Sequence, residues 1–207
     1  MTKAVIAVHG GAGSFEGLKW RQETPFREHM VIACEQAATH AENAVDMVVA
    51  AVAHMETSGA YNAGRGSVLN EAGAQFLDGA VARGWDSNLG AVAHVSETYA
   101  AVHLAKAVME TSPHSFLVAE GADALAKELQ LAQLEPPHAA LLKVYKDLVS
   151  GKKAKEKLGT YSFGGESDTV GAVAVDNQGR VAAACSTGGT WLKRVGRVGD
   201  TPVIGSG

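Results

Sequence analysis

In "GGESDTVGAVAVD" a threonine, Thr169, stands where a polar, glycine-bearing stretch gives way to a run of small apolar residues. A threonine hydroxyl is too weakly acidic to attack an amide unaided and needs a base beside it. If the bond between Asp168 and Thr169 is cut, Thr169 acquires that base in its own freed α-amine. The reference pKa of an α-amine is about 7.7–8.0, so much of it is neutral near neutral pH. The plainer alternative is a β-branched residue suited to the start of a strand. Further along, "STGGTWLKRVGRVGD" supplies Thr187, Arg197 and Asp200. A hairpin turn at "DNQG" would put Thr187 on the strand next to Thr169, within reach of its hydroxyl. An arginine grips a carboxylate with two parallel bonds, and an aspartate holds an ammonium, so Arg197 and Asp200 suit the two ends of an amino acid. The alternative for them is an ordinary surface ion pair.

Other motifs fail on detail. "HGGAG" follows an expected strand, but a dinucleotide fingerprint begun at Gly11 needs glycine where Glu16 stands. No G-x-S-x-G and no H-E-x-x-H occurs, and the eight histidines do not cluster with zinc spacing. What remains of "HGGAG" is a loop of small residues that lets another segment come close. A net charge of -4 gives no reason to expect nucleic acid or an anionic membrane as partner. Cys34 and Cys185 form no CxxC pair and read as small core residues, which suits a reducing cytoplasm. The start breaks at glycines too early for a signal peptide, and no apolar run reaches the ~18 residues of a membrane helix.

The elements that must position these residues can be read from hydrophobic spacing. A buried strand is expected from Ala4 to Val8. Phe26 to Glu56 reads as two helices, the first opened by Pro25 and the second capped by Asn43. Ser58 to Ser67 reads as a glycine-rich loop. "SVLN", "AQFLDGAVA" and "LGAVAHV" read as short antiparallel strands. Helices are expected over Thr98–Met109, Phe116–Leu129 and roughly Pro137–Val149. The polar, charged run at 151–168 reads as a mobile linker. "TVGAVAVDNQGRVAAACS" reads as two strands joined by a turn, and the remainder as irregular. The order is not strict strand–helix alternation, so layered sheets flanked by helices are expected rather than a parallel doubly wound sheet.

Five segments in this order, "AVIAVHGGAG", "YNAGRGSVLN", "DTVGAVAVD", "STGG" and "RVGRVGDTPVIGSG", together resemble the plant-type asparaginases, also called isoaspartyl peptidases. The resemblance spans nearly the whole chain. It implies an α+β fold, the four-layer αββα sandwich of the N-terminal nucleophile hydrolases. Residues 1–207 would then be a single such domain, incomplete at its C-terminus. Residues 1–168 would be the α-subunit region with its linker, and 169–207 the start of the β-subunit. The resemblance implies self-cleavage between Asp168 and Thr169, with Thr169 as nucleophile assisted by Thr187 and with Asn62 nearby. Arg197 and Asp200 would hold the substrate's carboxylate and amino group. The substrate class is L-asparagine and β-aspartyl dipeptides. No organic cofactor is implied, but some members bind sodium through backbone carbonyls, here those of Met55, Glu56, Ser58, Tyr61, Ala63 and Arg65. A homodimer of αβ units is expected when the protein is complete. Members continue beyond "VIGSG" into a segment that forms the oxyanion hole, whereas this chain stops at Gly207. Two rival readings are a glycosylasparaginase, whose secretory route and disulfides this chain does not suit, and an inactive fragment or scaffold.

Overall fold

In the computed structural model residues 3–11, 25–151 and 169–207 are described. The fold is α+β. Among these residues five α-helices accompany one six-stranded sheet of order β1-β5-β6-β2-β3-β4. The strands are β1 (Val5–His9), β2 (Leu77–Arg83), β3 (Asn88–Val95), β4 (Phe116–Val118), β5 (Val170–Val175) and β6 (Val181–Thr187). All neighbours are antiparallel except β3 and β4. The helices are α1 (Phe26–Ala38), α2 (Ala44–Ser58), α3 (Ala101–Thr111), α4 (Ala119–Glu128) and α5 (Ala139–Val149).

The β5–β6 hairpin lies at the centre of the site. Its strands alternate, so Val170, Ala172, Ala174, Ala182, Ala184 and Ser186 are buried on one face, while Val173 and Val181 are exposed on the other. Helix α2 packs on the buried face of β5 and β6, α3 on β2 and β3, and α1 on α2 and β1. Small residues on that face permit the approach: a Cβ on Gly79 would come 3.2 Å from Ala101. The apolar stripe of α2, Val45, Val48, Val52 and Met55, is fully buried at helical spacing. Asn43 caps α2 as expected, its side chain accepting from the Val45 N–H at 3.0 Å. Gly59, at φ +68, ends the helix in the left-handed conformation that glycine tolerates best.

Several boundaries differ from those read in the sequence. Phe116–Val118 is not the start of a helix. It pairs in parallel with Ala91–Ala93 at the sheet edge, and the helix begins only at Ala119. Sheet pairing is non-local, so the helical spacing downstream could not reveal it. "SVLN" is not a strand either; Leu69 makes one isolated bridge to Gln75. The expected helix from Thr98 starts at Ala101, because the Thr98 hydroxyl takes the Ala100 N–H and forms a local turn instead. Apart from Gly151, the linker expected at 151–168 lies outside the described residues, and so does Asp168. No helix among the described residues is long and apolar enough to cross a membrane.

Candidate active site

Thr169 immediately precedes β5, the strand between β1 and β6. The hairpin register sets Val170 opposite Ser186, which makes Thr169 and Thr187 the next residues along the two strands. The proximity expected between them is therefore built into the hairpin. The hydrogen bond is not: Thr187 Oγ1 accepts from the Gly189 N–H at 3.0 Å. Thr169 Oγ1 lies instead 3.3 Å from Thr201 Oγ1. Thr201 was not singled out in the sequence. It follows Asp200 and is 1 % exposed, and a lone threonine in "GDTP" carries no spacing signal. Its N–H is taken by Asp200 Oδ1 at 3.0 Å, and its carbonyl accepts from the Cys185 thiol at 3.3 Å.

The "YNAGRG" loop meets this corner from below. Asn62 is fully buried, and its amide donates to the Gly189 carbonyl at 2.6 Å while its Oδ1 accepts from the Val68 N–H at 2.9 Å. The Asn62 carbonyl accepts from the Gly188 N–H at 2.9 Å. Position 188 must be glycine, because a Cβ there would sit 2.5 Å from Asn62 Oδ1. The structure therefore brings Asn62 together with the segment after Thr187, as expected. From the other side His9, paired with Gly171 in the register, lays its ring against that glycine.

Arg197 and Asp200 sit on the loop that follows. The Arg197 guanidinium rests over two glycines, since a Cβ on Gly189 or Gly199 would lie 2.9 or 3.0 Å from its Nη1. Arg197 and Asp200 do not form the surface ion pair that was the alternative reading; among the described residues Arg197 makes no ion pair at all. A half-buried guanidinium with open donors, three residues before an exposed carboxylate on the same loop, is suited to a zwitterionic ligand.

Beneath the sheet is a carboxyl whose side chain the sequence reading did not use. Glu56 is fully buried; its Oε1 accepts from Ser186 Oγ at 2.6 Å and the Val102 N–H at 3.0 Å. Burial pushes its pKa up to about 8, against the opposing pull of those hydrogen bonds. It ties α2 and α3 to Ser186, one residue before Thr187. Burial of an acid in "HMETSG" was hidden because it follows the apolar stripe in an otherwise polar helix end.

The six carbonyls expected to hold sodium lie on the last turn of α2 and the loop after it. Gly64, at φ +52, folds the loop so tightly against that turn that a Cβ would meet the Glu56 carbonyl at 2.5 Å. Met55 O already accepts from Ser58 Oγ and Ala63 O from the Gly66 N–H, which leaves each a lone pair. Backbone oxygens, with no thiol or imidazole among them, are the ligand type that suits a hard cation.

Chemically, the corner offers converging hydroxyls without an adjacent base. Among the described residues, Thr169 Oγ1 has another hydroxyl as its hydrogen-bond partner, with no histidine or carboxylate on it. A neutral hydroxyl does not activate an oxygen nucleophile.

Comparison with known proteins bears on this arrangement. A family model described as asparaginase matches residues 2–207. A plant-type L-asparaginase of Pyrobaculum calidifontis is 40% identical over 98% of this chain and 68% of its own length. An isoaspartyl peptidase of Salmonella typhimurium is 38% identical over 100% of the chain and 69% of its own. An isoaspartyl peptidase/L-asparaginase of Danio rerio is 39% identical over 98% of the chain and 65% of its own. The chain thus spans about two thirds of the length of these relatives.

Proposed function

The chain belongs to the asparaginase family, and from that premise we propose that it is a self-cleaving amidohydrolase acting on L-asparagine and β-aspartyl dipeptides. In the first step Thr169 Oγ attacks the Asp168 carbonyl, its hydroxyl proton passes to the peptide nitrogen, which leaves as the new α-amine that serves as base in turnover, and water hydrolyses the resulting ester. In turnover Thr169 Oγ attacks the substrate's side-chain carbonyl and the α-amine takes the hydroxyl proton. Ammonia or an amino acid departs with a proton, and water then clears the acyl-enzyme. Arg197 grips the α-carboxylate and Asp200 the ammonium, which fixes the scissile amide against Thr169. Thr187 and Asn62 order the strand end and loop beside it.

The observation that carries this reading is the surroundings of Thr169: a strand-initial threonine whose hydroxyl has no base among the described residues, so that the α-amine is the base its chemistry lacks. Thr169→Ala should remain a single chain and hydrolyse neither substrate, whereas the wild type should yield a fragment beginning at Thr169. A denaturing gel with N-terminal sequencing reads this directly. A fragment with any other first residue, or hydrolysis by the alanine variant, overturns the reading.

Two further features belong to it. The fold is a four-layer αββα sandwich, which is supported by the exposed apolar face of the sheet opposite the helices: Val5, Val173 and Val181 are each more than 40 % exposed. The carbonyls of Met55, Glu56, Ser58, Tyr61, Ala63 and Arg65 would hold a sodium ion, whose charge would stiffen the loop carrying Asn62. Replacing sodium by choline should lower the melting temperature, and unchanged melting would remove the ion from this account.

A further inference from the structure

Lys193 is a charged side chain with no part in the chemistry above, yet it is 5 % exposed. Its Nζ donates to the Phe76 carbonyl at 2.7 Å, at the edge of β2. The same backbone turn is anchored by the Glu71 N–H, which donates to the Lys193 carbonyl at 3.0 Å. The point where a Cβ on Gly189 would sit lies 2.9 Å from Arg197 Nη1 and 3.1 Å from Lys193 Nζ. The two cations are therefore near neighbours across one glycine whose φ is +73. Burying a second cation beside the first is costly unless something requires it.

The surroundings show what holds the pair. Asp78, fully buried and paired in register with Thr187, accepts from the His94 N–H at 2.9 Å and from the Gly199 N–H at 3.4 Å. His94 Nε2 accepts from the Gly196 N–H at 3.2 Å, and its ring stacks on Phe76 at 3.9 Å. Arg197 thus lies between two pinned residues, Gly196 and Gly199, while Lys193 closes the remaining side. Desolvation, opposed by Asp78 and reinforced by Arg197, brings the Lys193 pKa down to about 8.

We propose that Lys193 is a positioning residue for substrate recognition: its buried ammonium, tied to Phe76, holds the Arg197 guanidinium in place across Gly189 and makes the carboxylate end of the site a two-cation site. This rests on Arg197 as the carboxylate ligand. Like-charge repulsion across Gly189 keeps Arg197 from folding back onto Asp78, and an incoming carboxylate relieves that repulsion. The contribution should therefore appear only with substrates that carry the carboxylate.

The test uses the full chain with Lys193→Met, Lys193→Arg and, for reference, Arg197→Ala. The substrates are L-asparagine and its analogue with the α-carboxylate replaced by a carboxamide. Lys193→Met should raise KM for asparagine about tenfold or more with kcat within about threefold, and leave the carboxamide analogue unchanged, since each tenfold corresponds to the loss of one good charge-assisted contact. Lys193→Arg, which keeps a cation in place, should retain the preference for the carboxylate. Equal losses on both substrates, a fall confined to kcat, or an unaltered KM overturns the proposal. If Lys193→Met does not fold, a Lys193→Arg enzyme that has lost the preference overturns it, and one that has kept it supports it. A wild-type enzyme that shows no preference for the carboxylate over the carboxamide would instead refute Arg197 as the carboxylate ligand.

Discussion

At the scale of single residues, the proposed chemistry has Thr169 combine two demands that other nucleophiles meet with two side chains. Its Oγ would attack and its own nitrogen would serve as base, so a substitution should change both self-cleavage and turnover. Thr169→Ser keeps the oxygen and should still be cut, though more slowly, because the loss of the methyl frees χ1 to leave the reactive rotamer. Thr169→Cys should be cut yet hydrolyse poorly, because a thiol differs in size and basicity. Thr169→Ala should lose turnover by more than about 10³-fold, the scale seen when a nucleophile is removed from a catalytic unit. The cleavage time course and initial rates check all three. Thr201 adds to this picture as the hydroxyl that meets Oγ1 at 3.3 Å, next to the residue assigned to the substrate's ammonium.

At the scale of elements, the tip of the β5–β6 hairpin is fastened to α2 by one carboxylate. Asp176 Oδ1 accepts from the Gln178 and Arg180 N–H groups, and Oδ2 from the Ala44 N–H at the start of α2 and from Arg180 Nε at 2.7 Å. Burial alone would raise its pKa, but the hydrogen bonds from Arg180, Gln178 and Ala44 outweigh that and hold it below the ordinary value. A carboxyl with a depressed folded-state pKa stabilises the fold above its unfolded pKa, and that stability fades as pH falls through the folded value. Asp176→Asn should therefore cost on the order of 3 kcal/mol at pH 7, as expected for hydrogen bonds to a charged group, and progressively less as the pH is lowered towards about 3. Denaturant unfolding at both pH values measures it, and an equal loss at each would show that charge plays no part. Because this hairpin carries Thr169 and Thr187 side by side at its open end, loosening it should also slow the proposed self-cleavage.

At the scale of the whole molecule, the sheet is covered on one face only among the described residues. On the other face Val5, Val175 and Val181 stand in one cross-strand row, with Ala7, Val173 and Ala183 in the next. A contiguous apolar surface of this kind marks a contact site. The four-layer arrangement proposed above would place a second sheet there, so Val173→Lys should destabilise the protein by about 2 kcal/mol or more, the cost of burying an unpaired charge. A change within about 0.5 kcal/mol, typical of a surface site, would mean that the face meets solvent. Thermal or denaturant unfolding decides between them.

Much of this was legible in the amino-acid order. Asn43 as a cap, the valine stripe of α2, and the "DNQG" turn between two strands of small residues are local signals, and each has a local cause. The hairpin alone set Thr169 beside Thr187, since register follows from turn length. What the tertiary structure decided is non-local. Phe116–Val118 became a strand because β3 offered an open edge, and no spacing within the segment announces that. The partner of Thr169 Oγ1 became Thr201 rather than Thr187, because the loop after β6 returns to the end of β5. Nothing in the residues flanking Glu56 or Lys193 marks either side chain as buried. Only the folding of α2 under Ser186, and of the glycine loop over Phe76, buried them, because desolvation depends on what other segments bring to a side chain and not on its neighbours in the chain.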